Sequence, residues 1–118
     1  IESVRDQSYP EWQLCIADDA SPAPHVAEVL RTAAASDPRI RVVHRAANGH
    51  ISEASNSALA LVDAEYVALL DHDDELHPDA LLRMAEAIAE YPDAGVLYSD
   101  EDKIDESGRR YEPYFKPR

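Results

Sequence analysis

Residues Asp71-His72-Asp73-Asp74-Glu75 place four carboxylates in five positions, directly after the apolar run Val67-Ala68-Leu69-Leu70. Like charges at that density repel, so a compensating cation is expected. Carboxylates two apart on a tight turn are hard oxygen donors that can aim at a common point. That donor set suits Mg2+ or Mn2+ held by few protein ligands and completed by phosphate oxygens. Asp71 and Asp73 are therefore the candidate metal ligands. The competing account is a solvated loop whose acids sit at the start of the next helix, where each stabilises by ~0.3 to 1 kcal/mol. It suits Asp74, Glu75 and Asp79. It suits Asp71 and Asp73 less well, because they leave a run that reads as a buried strand, where unpaired charge is costly.

Two further acidic points have the same form. Gln13-Leu14-Cys15-Ile16-Ala17 stops at Asp18-Asp19, and Val96-Leu97-Tyr98-Ser99 runs into Asp100-Glu101-Asp102. The last group reads either as a second acidic lobe of one site or as a solvated turn offset by Lys103. His72 and His77 read as exposed loop histidines before they read as ligands. Tyr98, Tyr111, Tyr114 and Phe115 could stack on a sugar or a base, although packing is the commoner fate of aromatics. The three glycines, Gly49, Gly95 and Gly108, make no phosphate-binding loop, which removes Walker-type and dinucleotide-fingerprint chemistry. Neither a Ser nucleophile elbow nor a Cys-His pairing signature is present.

Something must hold these acids in place. Residues 13–17 read as a strand. Val26, Val29, Leu30 and Ala33 recur at helical spacing and predict a helix over 25–35, ended by Asp37-Pro38. Residues 40–44 are rich in β-branched side chains and predict a second strand, followed by the turn Asn48-Gly49. Ser52 is the expected N-cap of a helix through Ala54, Ala58 and Leu61. Residues 66–70 predict a third, mid-sheet strand. Pro78 opens the longest helix, carrying Leu81, Met84, Ala85 and Ile88 and closed by Tyr91-Pro92. Residues 96–99 predict a fourth strand. Strands alternating with helices specify an α/β domain with a largely parallel sheet and helices on both faces. In such a sheet ligands bind beyond the carboxyl ends of the strands, so Asp18-Asp19 and Asp71 to Glu75 are expected to face one crevice.

With 118 residues and 45% hydrophobic content, one domain with a modest core is expected. Twenty-four acids against 11 Lys and Arg give a net charge of -13, which disfavours nucleic acid or an anionic membrane surface as a direct partner. An anionic ligand needs a cation between it and the protein. Cys15 is the only cysteine, so no disulfide forms within the chain and a reducing compartment fits. No apolar stretch approaches the ~20 residues of a membrane span. The start, Ile1-Glu2-Ser3-Val4-Arg5, has neither an initiator Met nor a signal pattern, and the chain is expected to be a piece of something longer.

Four segments, "SVRDQSYPEWQLCIADDAS", "DPRIRVVHRAANGHISEASNSAL", "AEYVALLDHDDELHPDAL" and "YSDEDKIDESGRRYEPYFKP", resemble in order and spacing the GT-A (Rossmann-like) domain of family 2 glycosyltransferases. The bacterial enzymes that build surface polysaccharides are the nearest in kind. The resemblance implies that Asp19 contacts the base of a nucleotide-sugar donor, with Asp18 shaping the loop. It implies that Asp71 lies near the ribose and the ion, and that Asp73 is the main ligand of Mn2+ or Mg2+ on the diphosphate. Asn48 and Asn56 match the stretch that lines the donor pocket. The implied reaction is an inverting displacement in which a carboxylate base deprotonates a hydroxyl of a glycan or lipid-linked acceptor. The family's first strand is missing, and its base is expected downstream of "PYFKP". The resemblance thus implies a domain truncated at both ends, inactive alone, with no catalytic residue assignable here. An exposed sheet edge is expected to drive self-association into a homo-oligomer. A cytoplasmic location is implied, with the inner face of the cell membrane left open. Two other classes compete: Mg2+-dependent phosphoryl or nucleotidyl transfer, and a non-catalytic acidic module.

Overall fold

The computed structural model describes residues 1–117. The chain divides into two compact units, Ile1–Leu82 and a second from Arg83 onward. In the first unit α1 (Glu2–Arg5) precedes β1 (Leu14–Asp18), α2 (Pro24–Ser36), β2 (Ile40–His44) and α3 (His50–Leu59). Helix α4 (Ala80–Glu90) begins in this unit, and β3 (Glu101–Ile104) and β4 (Arg110–Tyr114) belong to the second.

Strands β1 and β2 pair in parallel, Leu14 opposite Ile40, Ile16 opposite Val42 and Asp18 opposite His44. The connection that makes this possible is α2, which starts with Pro24 in its first turn and stops where Asp37 turns extended ahead of Pro38. Side chains alternate along a strand, so Leu14, Ile16, Ile40 and Val42 share one face. That face meets the core, in which Val4, Trp12, Ala33 and Ile40 are buried and Leu14, Ile16, Val42, Leu70, Leu76 and Leu81 pack against them. At the start of β2 the Arg39 guanidinium stacks 3.6 Å from the centre of the Trp12 ring and pairs with Asp37 at 2.8 Å.

The α/β character and the parallel pairing agree with the sequence expectation. The predicted third and fourth strands do not form. Residues 66–70 and 96–99 are irregular, with Leu69 88% and Val96 82% exposed. An apolar run becomes a strand only where its backbone finds a ladder, and among the described residues the parallel sheet has two strands. Ser52 is not an N-cap either: α3 starts at His50, with Gly49 in the cap position. The start is held from outside the helix, because Asn48 Oδ1 accepts the His50 N–H at 3.2 Å and the Asp19 carboxylate accepts the Gly49 N–H at 3.0 Å. Helix α4 begins at Ala80, two residues after Pro78.

In the second unit β3 and β4 form an antiparallel hairpin. Its turn contains Gly108 at φ 82 and is closed by the Asp105 carboxylate, which accepts the N–H groups of Ser107 and Arg109, each at 3.0 Å. Among the described residues no helix is long and apolar enough to cross a membrane.

Candidate functional site

Asp18 is the last residue of β1, opposite His44 at the end of β2, and Asp19 follows it out of the strand. The Asp18 side chain is only 9% exposed and is fully engaged, accepting the Ser21 N–H at Oδ1 and facing His44 Nδ1 at Oδ2, both at 3.0 Å. The Ser21 hydrogen bond first, and the His44 imidazole second, hold its carboxyl below the ordinary range. Asp18 thus ties one strand end to the other and shapes the loop, in which Ala20 takes φ 59.

Asp19 reaches the loop after β2. Its Oδ1 accepts Arg45 Nε at 2.7 Å, both its oxygens lie 3.0 Å from the Gly49 N–H, and its carbonyl accepts Asn48 Nδ2 at 3.2 Å. The structure therefore gathers Asp18, Asp19 and Asn48 around one point. Asn56 lies on α3, exposed, one residue before Ser57, whose Oγ accepts Arg45 Nη1 at 2.6 Å. Cys15 is half-buried on β1, where burial pushes its thiol pKa up and so disfavours the thiolate.

Asp71 to Glu75 form an exposed turn, with the Asp74 N–H donating to the Asp71 carbonyl at 3.2 Å. Leu70 and Leu76, the residues flanking it, both pack on the core beneath β1 and β2. The turn is pinned at its two ends, so it keeps its place although 66–70 is not in the sheet. Among the described residues no ion pair joins its four carboxylates to a Lys or Arg. His72 Nδ1 lies 3.9 Å from Asp73 Oδ1, with the Asp73 side chain 77% exposed. Among the described residues no three or more His, Cys, Asp or Glu converge on one point. By donor type alone, two exposed carboxylates such as Asp71 and Asp73 are the kind of ligand that Mg2+ takes alongside water and phosphate oxygens.

Asp100, Glu101 and Asp102 behave differently from either sequence expectation. Glu101 pairs with Lys116 at 2.9 Å, Asp102 with Arg110 at 2.7 Å, and Asp100 Oδ1 accepts the Lys116 N–H at 2.9 Å. They are the partnered acids of a hairpin.

Sequence reasoning passed over Arg45 and Gln7. Gln7 is 8% exposed and its amide is fully used: Nε2 donates to the Ser3 and His77 carbonyls at 2.9 and 2.8 Å, and Oε1 accepts the Leu81 N–H at 3.0 Å. Ser8 adds its N–H to the Pro78 carbonyl at 2.9 Å and its hydroxyl to Asp79 at 2.8 Å. These two residues fix the chain between the acidic turn and α4.

A family model described as "Glycosyl transferase family 2" matches residues 1–117, running through both acidic points. The chain belongs to glycosyl transferase family 2. The resemblance read from the four segments is borne out, and the family implies the GT-A Rossmann-like fold to which the parallel pair and its helices conform. The family 2 chain is 58% identical over 117 residues to a protein of Sinorhizobium fredii named "Uncharacterized protein y4gI", covering 99% of this chain and 13% of that protein. It is 40% identical over 117 residues to the O-antigen biosynthesis protein RfbC of Myxococcus xanthus, covering 99% of this chain and 9% of that one. It is 37% identical over 90 residues to a putative teichuronic acid biosynthesis glycosyltransferase, TuaG, of Bacillus subtilis, covering 76% of this chain and 35% of that one. The chain thus spans a minor part of the length of these curated relatives. No solved structure matches it.

Proposed function

We propose that this chain forms the donor half of an inverting glycosyltransferase that moves a sugar from a nucleotide-sugar to a hydroxyl of a glycan or lipid-linked acceptor in surface-polysaccharide synthesis. The observation that carries the reading is the family match over residues 1–117, joined to relatives named for O-antigen and teichuronic acid biosynthesis. In this reading Asp19 accepts a hydrogen bond from the base, and Asn48 and Asn56 line the donor pocket. Asp71 and Asp73 hold Mn2+ or Mg2+, which when bound offsets the charge that develops on the leaving diphosphate. The turn supplies charge without cationic partners, which a bound ion would compensate; the β1 loop supplies a carboxylate oriented in advance. The base that deprotonates the acceptor is not among the residues assigned here. The working location is the cytoplasm, including the inner face of the cell membrane.

The test is calorimetric binding of UDP, GDP, CDP and TDP to the 118-residue chain, with and without Mn2+. Binding of one or more nucleotides that needs the ion supports the reading. An absence of any ion-dependent binding would leave a non-catalytic acidic module as the better account.

A further inference from the structure

Arg45 makes three side-chain hydrogen bonds to two other segments, and the donor-site assignments above give it no role. It follows β2 directly, and its own N–H donates to the Asp18 carbonyl at 2.9 Å, continuing the ladder by one bond. Its guanidinium then serves two other segments. Nε donates to Asp19 Oδ1 at 2.7 Å, while Nη1 donates to the Glu53 carbonyl at 3.1 Å and to Ser57 Oγ at 2.6 Å, both on α3. Nη2 lies 3.8 Å from the Glu53 carboxylate. One planar fork thus joins the loop after β1 to two successive turns of α3, and its side chain is 21% exposed.

Gly49 provides independent support. Its φ is -123, a backbone that any residue adopts, so its lack of a side chain is not a matter of conformation. A Cβ there would lie 2.5 Å from Arg45 Nη2 and 2.8 Å from Glu53 Cβ. The space beside Gly49 is taken up by the Arg45 fork, and the Gly49 N–H completes the ring of donors on Asp19.

We propose that Arg45 is the positioning residue of the nucleotide site: it locks the Asp19 carboxylate and α3 into one geometry, so that Asp19 meets a nucleoside diphosphate already oriented. The inference rests on the donor-site reading of Asp19. Arg45 spends Oδ1 of Asp19 and leaves acceptor capacity on Oδ2, the oxygen that otherwise receives only the shared Gly49 N–H. Lysine cannot substitute, because a point charge on a flexible stem cannot donate in two fixed directions to Asp19 and to α3. Arg45 itself touches no ligand in this account; it acts through Asp19.

The experiment compares wild type with Arg45→Lys, Gly49→Ala and Ser57→Ala in the 118-residue chain. Three quantities are read: affinity for UDP, GDP, CDP and TDP with Mn2+, affinity for Mn2+ alone, and the amide shift of Gly49 by NMR. Arg45→Lys is expected to weaken the best-bound nucleotide roughly tenfold, as loss of a charged hydrogen bond does, and to move the Gly49 amide. It should leave Mn2+ affinity unchanged, since Asp71 and Asp73 are untouched. Gly49→Ala should reproduce the nucleotide loss by displacing the fork. Ser57→Ala, which keeps a helix former in α3, should give a smaller loss, about threefold. A split between nucleotide and ion affinity is what a purely structural role would not produce. Wild-type nucleotide affinity in Arg45→Lys would overturn this inference and leave the donor-site reading standing. If wild type itself binds none of the four nucleotides, both fall.

Discussion

The two acidic points of the first unit are built in opposite ways. At the end of β1, Asp18 and Asp19 are surrounded by donors, with Ser21, His44, Arg45 and the Gly49 amide each in hydrogen-bond range. At Asp71 to Glu75 the carboxylates face solvent, and the ring nitrogen of His72 lies 3.9 Å from Asp73. Protein groups occupy the first point with hydrogen bonds before any ligand arrives. The second is held in position by Leu70 and Leu76 but is left electrostatically incomplete. A carboxylate that is satisfied in advance can orient a ligand; a cluster that is not satisfied can recruit a cation. In the reading proposed above, the first point would orient the nucleotide and the second would hold the ion.

The sharpest way to break the comparison is to remove one carboxylate from the incomplete side. Asp73→Ala should lower Mn2+ affinity by more than ~100-fold, beyond the usual effect of losing an outer-shell partner. Asp74→Ala and Glu75→Ala should each change it by less than about threefold. Equal losses for all three by calorimetry would make the turn a diffuse charge patch. On the satisfied side, Asp19→Asn keeps the shape but removes the charge that faces Arg45, and should weaken nucleotide binding roughly tenfold with Mn2+ affinity intact. Gln7→Ala probes the clamp that holds the turn's far end. It leaves part-buried backbone groups of Ser3, His77 and Leu81 without this partner and should lower unfolding free energy by about 1 to 3 kcal/mol, read from denaturant melts.

The smallest effect expected is a pH dependence. Asp18 and Asp37 both have depressed carboxyl pKa values. The hydrogen bonds from Ser21 and His44 hold Asp18 low, and that from Arg39 holds Asp37 down at about 2. A depressed folded value means that the unfolded chain takes up protons first. Their contribution is therefore present above the ordinary carboxylate value of ~4 and is lost as pH falls through the folded values. Asp18→Asn should flatten the acid limb of the stability curve between pH 4 and lower, while the neutral plateau shifts little.

Much of this was legible beforehand. The strand at 13–17, the helix at 25–35 and the strand at 40–44 each carry their own periodicity, and all three form within a residue or two. The exposed turn at Asp71 is visible as charge density, and Asp18-Asp19 as the abrupt end of an apolar run. What failed were the features that depend on distant partners. Residues 66–70 and 96–99 have strand composition, but composition cannot supply a neighbouring backbone. Ser52 has the right chemistry for a cap, yet Asn48 and Asp19 hold the helix start two residues earlier. Arg45 and Gln7 act across long sequence separations, and neither sits in a motif that would mark it. A signal for Arg45 did exist: Gly49, directly before α3, in a chain with only three glycines.

The central claim is that the two acidic points differ in kind, one filled by protein donors and one awaiting a cation. Paramagnetic broadening of backbone amides on titration with substoichiometric Mn2+ tests it most directly. The account predicts broadening centred on residues 71–75, with the hairpin stretch 100–102 little affected because Lys116 and Arg110 already pair with Glu101 and Asp102. Broadening spread evenly over every acidic stretch, or centred on Asp18-Asp19 or the hairpin, would contradict it.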